Sequence, residues 1–375
     1  MNFRSFSKSW ARLTLTLSLL AGLVACDGAS ETSENSANPP ETISPRGYEK
    51  INAPNSSDPL NAHIFELSNG LKVYLTENHE EPRFYAEIAV RAGSKHDPAD
   101  GTGLAHYLEH LLFKGNRNLG TLDYAAEKPY LDEIVALYEE HFSETDEGRR
   151  AEIYSDINRV AQQAAAFAVP NEIDKLYNTM GGTALNAHTW YEETVYKIGL
   201  PSNRLHQWAE IESDRFVDPV FRLFHTELET VYEEKNRTLD NAGRIIGTAI
   251  DELLYKVHPY GQQPTIGTVD HLKNPSLVYI QNYFDTYYVP NNMGIFISGD
   301  IDVTDTIELI SEKFGQWESS PILEVGPWEE PSLEGAERRT CLLYTSPSPR
   351  DQRGSRMPGW GWKKKGGGGG GGGGG

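Results

Sequence analysis

Cysteine is nearly missing from this sequence. Its 375 residues hold two, Cys26 and Cys341, and both lie in terminal stretches whose composition does not suit a fold. The part between them can form no disulfide, so an ordinary apolar core must hold it, and about 270 residues are ample for one. Long apolar runs are missing too: Leu13 to Ala25 is too short to cross a bilayer as a mature helix. Basic residues are outnumbered, with 34 Lys and Arg against 54 Asp and Glu and a net charge of −20. The first 26 residues contribute +3 and residues 340–375 contribute +5, so residues 27–339 carry −28. So acidic a body repels nucleic acid and anionic lipid surfaces, which excludes nucleic acid as a partner. The sequence also lacks a serine nucleophile elbow, a haem-attachment CxxCH and a Gly-rich phosphate loop, which removes those chemistries.

The ends read as something other than fold. Arg4, Lys8 and Arg12 precede the apolar run with no acid among them, the layout of a signal peptide over residues 1–26. The run ends in Leu23-Val24-Ala25-Cys26, which resembles a bacterial lipobox. That resemblance implies cleavage before Cys26, lipidation of its thiol, and a periplasm-facing lipoprotein of the cell envelope whose only membrane contact is that anchor. Residues 27–57, rich in Ser, Asn, Glu and Pro, read as a disordered tether. Residues 340–375 end in three lysines and ten glycines, as translated homopolymers would, and read as a sequencing artefact rather than as natural protein.

Between the ends, period separates strands from helices. Phe65 and Leu67, then Leu71, Val73 and Leu75, alternate around Ser68-Asn69-Gly70, a hairpin signal. Ala86, Ile88 and Val90 alternate as the next strand. Leu131, Val135, Tyr138 and Phe142 share one helical face, and Ile153, Ile157, Val160, Ala164 and Phe167 share another, so residues 118–177 hold an αα-hairpin. Strand character returns at Thr183–His188 and Thr194–Ile198. Helices are expected over 203–214, 225–257 and 276–287, with a buried strand at Met293–Ser298. Elements interleave without a strict βαβ repeat, which predicts an α+β fold with a mostly antiparallel sheet packed by helices.

The chemistry is concentrated in His106-Tyr107-Leu108-Glu109-His110. On a helix, positions four apart share a face, so His106 and His110 can aim their imidazoles at one metal. Glu109 lies on the same side and can reach water at that metal without ligating it. A zinc ion with three protein ligands keeps an open position and acidifies water, which a general base then deprotonates. The bland alternative is a surface helix with two unrelated histidines.

The surroundings carry a resemblance. Ala92-Gly93-Ser94, Gly103 through Gly115, Leu185-Asn186-Ala187-His188-Thr189 and Glu227 through Asn236 together resemble the pitrilysin/insulysin family of inverted zincins. The likeness spans about residues 61–320, nearly all of the foldable chain. It implies a LuxS/peptidase-like metalloenzyme domain over residues 58–325, with 326–339 beginning another homologous domain that would act in cis. It implies one zinc per chain held by His106, His110 and Glu234, with Glu109 as catalytic base. Helical geometry alone leaves Glu233 and Glu234 both open; the resemblance selects Glu234. Glu227, two turns earlier, would orient a ligand. Asn186, Ala187 and Thr189 would bind a peptide substrate along a sheet edge. One departure is plain: 123 residues separate His110 from Glu234, far more than in many relatives, and the surplus maps onto the αα-hairpin. The expected function is a zinc endopeptidase acting on peptides or unfolded polypeptides, with low activity expected of this stretch alone. The rival is a non-catalytic family member serving as a peptide-binding or assembly subunit.

Overall fold

Alternation of apolar residues builds the sheet around which everything else is placed. The computed structural model describes residues 47–340, apart from 53–56, 240 and 324. The expected signal peptide, Cys26 and residues 341–375 lie outside the described residues. The strands are β1 (Tyr48–Lys50), β2 (His63–Leu67), β3 (Lys72–Glu77), β4 (Arg83–Val90), β5 (Thr183–Thr189), β6 (Thr194–Pro201) and β7 (Met293–Gly299). They form one sheet in the order β1-β2-β3-β7-β4-β6-β5. Every pairing is antiparallel except β3 with β7, so the sheet is mostly antiparallel, as expected.

Period two explains its faces. Phe65, Leu67, Val73, Leu75, Phe84, Ala86, Ile88, Val90, Ile295 and Ile297 are buried on one side. Tyr74 and Phe296, cross-strand partners, stack at 4.4 Å on the other side, where Phe296 and Tyr85 stay exposed. The helices are α1 (Leu104–Leu111), α2 (Tyr124–Ser143), α3 (Glu147–Ala165), α4 (Glu172–Thr179), α5 (Leu205–Arg215), α6 (Phe224–Leu239), α7 (Ala242–Leu254), α8 (Pro259–Gln262), α9 (Val269–Leu272), α10 (Leu277–Tyr287) and α11 (Val303–Phe314). Not all of them bury a face: α7 has no buried residue.

Two expectations need correction. The tether read over residues 27–57 contributes a strand, since β1 pairs with β2 and Tyr48 packs its ring edge-on against Phe65. Asn52 extends this, donating to Ala62 O at 2.7 Å and accepting from Ile64 N–H at 2.9 Å. A three-residue edge strand held by backbone hydrogen bonds needs no apolar pattern, so composition does not reveal it. The single helix expected over 225–257 is two helices, because Asn241 stops one and caps the next by accepting from Arg244 N–H at 3.1 Å.

The αα-hairpin is present as α2 and α3, capped by Asp123 and Asp146. It is fixed to the core by Glu127, fully buried against the equally buried Arg222 at 3.1 Å. Residues 326–339, expected to begin another domain, run irregularly past α7 and α8. There Glu330 accepts from the N–H groups of Lys256, Val257 and His258, and Trp328 packs on His258.

Candidate metal centre

The helix α1 is almost wholly buried, through Leu104, Ala105, Tyr107, Leu108 and Leu111, and only one edge faces out. Its start is set by two residues. Gly103 sits at φ +88, where an added Cβ would lie 2.7 Å from Gly267 Cα, so only glycine fits. Asp97 is buried beneath it, accepting from Gly103 N–H at 2.8 Å and Ala105 N–H at 2.9 Å. The Tyr107 hydroxyl donates to Phe224 O, and its ring lies 4.7 Å from that of Phe224, which ties α1 to the start of α6.

That tie brings the ligand candidates together. His106 and His110 lie edge to face with ring centres 4.9 Å apart. Glu234 Oε2 stands 3.7 Å from Nε2 of each imidazole, whereas Glu233 is exposed. The ligand atoms of the three residues lie within 4.8 Å of one another. At 3.7 Å these are not hydrogen bonds. They match the edges of a tetrahedron around zinc, roughly 3.4 Å for ligands at about 2.0–2.1 Å. Burial, followed by the charges of His110 and Arg244, pushes the His106 imidazole down to about 3. It is therefore neutral at working pH, the form a metal ligand requires. The donor set fits zinc.

Glu227 supports the cluster from below. Its Oε2 accepts from His110 Nδ1 at 3.3 Å and its Oε1 meets Lys114 Nζ at 2.6 Å. Burial pushes this carboxyl up, but the bonds from His110 and Lys114 prevail and hold it below the usual range. With its Nδ1 proton committed to Glu227, His110 presents the Nε2 lone pair to Glu234's side. Lys114 was not singled out from the sequence, although it follows His110 by four residues on the same face.

Glu109 is buried, and burial raises its carboxyl above the usual range, against the hydrogen bond from Thr189 and the charge of His110. Thr189 Oγ1 donates to Glu109 Oε2 at 2.6 Å. The Thr189 side chain is thus buried against Glu109. Asn186 is exposed, Ala187 is half-buried, and both lie on β5, which ends the sheet. A cavity of about 890 Å³ joins these parts, lined by His106, Glu109, His110, Asn186 to Tyr191, Glu234, and residues of α7. A groove of about 1110 Å³ elsewhere, lined by Phe216, Tyr288 and Trp317, is larger, but it takes in none of the three ligand candidates.

Family profiles match this chain at two places. Residues 72–128, which include β3 and the whole of α1, match the Insulinase (Peptidase family M16) profile, and residues 278–352 match the Peptidase M16 inactive domain. In these two segments the chain is similar to the insulinase family. Among insulinase relatives, the probable zinc protease PqqL of Haemophilus influenzae is 26% identical over 273 residues, covering 70% of this chain and 24% of that one. The zinc protease PqqE of Helicobacter pylori is 23% identical over 289 residues, covering 74% of this chain and 52% of that one. The crystal structure of the first half of the periplasmic protease PqqL from Escherichia coli shares the fold, with a TM-score of 0.53 at 20% identity, covering 72% of this chain and 48% of that one. The chain thus spans between about a quarter and a half of the length of these relatives.

Proposed function

We propose that this domain is a zinc-dependent endopeptidase that hydrolyses extended peptides or unfolded polypeptides, with His106, His110 and Glu234 holding one zinc ion. The observation that carries the reading is the convergence of those three side chains beside both a buried carboxylate and an open sheet edge. When bound there, zinc supplies Lewis acidity that polarises a carbonyl and acidifies water.

The chain's own groups do the rest. Glu109 has one oxygen fixed by Thr189, which leaves Oε1 to take a proton from the attacking water and return it to the leaving amine nitrogen. Glu227, held ionised by Lys114, fixes the tautomer and the tilt of His110. The outer edge of β5 has no strand partner among the described residues, so an extended peptide can add there through main-chain hydrogen bonds beside Asn186 and Ala187. That mode selects unfolded or short substrates, since a folded protein offers no free strand.

Location follows from the other end of the chain. The signal-like segment and Cys26 support a periplasm-facing lipoprotein, and the E. coli relative is a periplasmic protease. The test is Glu109→Gln. It should keep one zinc per chain and lose chelator-sensitive peptide hydrolysis by at least about a hundredfold, the scale of general-base catalysis. Hydrolysis persisting in that variant would sink the reading.

A further inference from the structure

The charged groups lining the cavity are unequally matched. The carboxylates are Glu109, Glu234, Asp251 and Glu252; the cations are Lys235, Arg244 and Arg339. Each carboxylate is engaged. Glu109 accepts from Thr189, Glu234 faces the two imidazoles, Asp251 accepts from the Tyr191 hydroxyl at 3.1 Å, and Glu252 pairs with Arg339. Arg339 is thereby answered. Lys235 and Arg244 are not: among the described residues, neither side chain has a carboxylate at ion-pair distance.

Lys235 is half-buried. It follows the ligand candidate Glu234 by one residue, while Arg244 sits in the first turn of α7, and both line the cavity that holds His106. Both therefore stand where a peptide lying past the metal centre would pass.

We propose that Lys235 and Arg244 form a carboxylate-binding subsite for the peptide, taking an acidic side chain near the scissile bond or the peptide's own terminal carboxylate. The planar fork of Arg244 suits both oxygens of a carboxylate, and Lys235 adds a point charge. The proposal rests on the peptidase reading and narrows it to a substrate class. It also gives the acidic body of the protein a role, since long-range repulsion would disfavour anionic peptides unless a local site offset it.

The experiment uses the full chain carrying Glu109→Gln, loaded with zinc, so that binding is read without hydrolysis. Fluorescent peptides differ only in one Glu or Gln, and each is made with a free or an amidated C-terminus. Peptides with the recognised carboxylate should bind about tenfold more tightly, the scale of one charge-assisted hydrogen bond. That ratio should collapse toward unity in Arg244→Gln and shrink in Lys235→Gln, with zinc content confirming the fold of each. A preference following Glu assigns the side chain as the source, and one following the free terminus assigns the α-carboxylate. Equal binding of all four peptides, or a preference that survives both variants, overturns the subsite. If the Glu109 parent nevertheless cleaves peptides, the peptidase reading stands without it; if no peptide is bound or cleaved, both fall.

Discussion

Glu227 shows how a metal centre depends on groups that do not touch the metal. His110 needs a free Nε2 lone pair, and the hydrogen bond from its Nδ1 to Glu227 is what fixes that tautomer. Lys114, at 2.6 Å from the other carboxylate oxygen, keeps Glu227 ionised despite burial. Glu227→Gln keeps the volume and removes the charge, so His110 loses its ionised acceptor and Lys114 its counter-ion. Zinc affinity should fall about 10- to 100-fold, measured by competition with a chromogenic chelator. An unchanged affinity would mean that packing alone orients His110. At this scale the sequence is informative where geometry is local. The spacing of His106 and His110 places both on one helical edge without any knowledge of the fold, and Lys114 continues the same edge. Glu233 and Glu234 are indistinguishable by spacing, because the choice depends on how α6 is rotated against α1. The Tyr107–Phe224 contact sets that rotation across 117 residues of sequence. Thr189 was legible as part of a strand but not as the partner of Glu109, for the same reason.

Elements were legible where one face is buried. β2, β3, β4 and β7 alternate cleanly because helices cover one side of the sheet, and the hairpin turn at Ser68-Asn69-Gly70 links the first two. β1 carries no such pattern, since three residues with one partly buried side chain, Tyr48, are too short to show alternation. α6 and α7 run together by helical period, and only the Asn241 cap divides them. The hairpin of α2 and α3 was expected as a surplus segment, and its anchoring is definite. Arg222 donates to the carbonyls of Lys114, Asn116 and Leu119 and to Glu127, so one buried cation joins α2 to the loop that leaves α1. Removing one member of a buried pair leaves the other charge uncompensated, at a cost of about 3–5 kcal/mol. Glu127→Ala should therefore lower folding stability by that amount in urea titration, with an unchanged m-value if the hairpin stays docked. A loss below about 1 kcal/mol, the worth of a surface pair, would mean that the three carbonyls alone satisfy Arg222.

At the scale of the whole molecule, stability and pH are linked through one buried acid. Asp97 lies beneath the start of α1, with both oxygens accepting backbone N–H groups and its own carbonyl accepting from Gln263 at 2.8 Å. Burial pushes its carboxyl up to about 8, against the bonds from Ala105, Gly103 and Leu104. Its ordinary value is 3.8. Between those two values the unfolded chain has released a proton that the folded chain retains, so this residue's contribution falls as pH rises and levels off above about 8. The net negative charge of the body works in the same direction, because self-repulsion grows as its acids and histidines lose protons. The two effects separate in Asp97→Asn, which shares every other titration but not this one. Asparagine offers one acceptor where two N–H groups point, a pH-independent cost of about 1–3 kcal/mol. The stability of the wild type minus that of the variant should therefore be greater at pH 5 than at pH 8. Urea titrations of both proteins at several pH values, in the metal-free state so that zinc binding does not enter, would measure that difference. A gap that stays flat from pH 5 to pH 8 would mean that Asp97 is ionised in the fold as it is in the free chain. The backbone N–H groups at the start of α1 would then outweigh the cost of burying its charge.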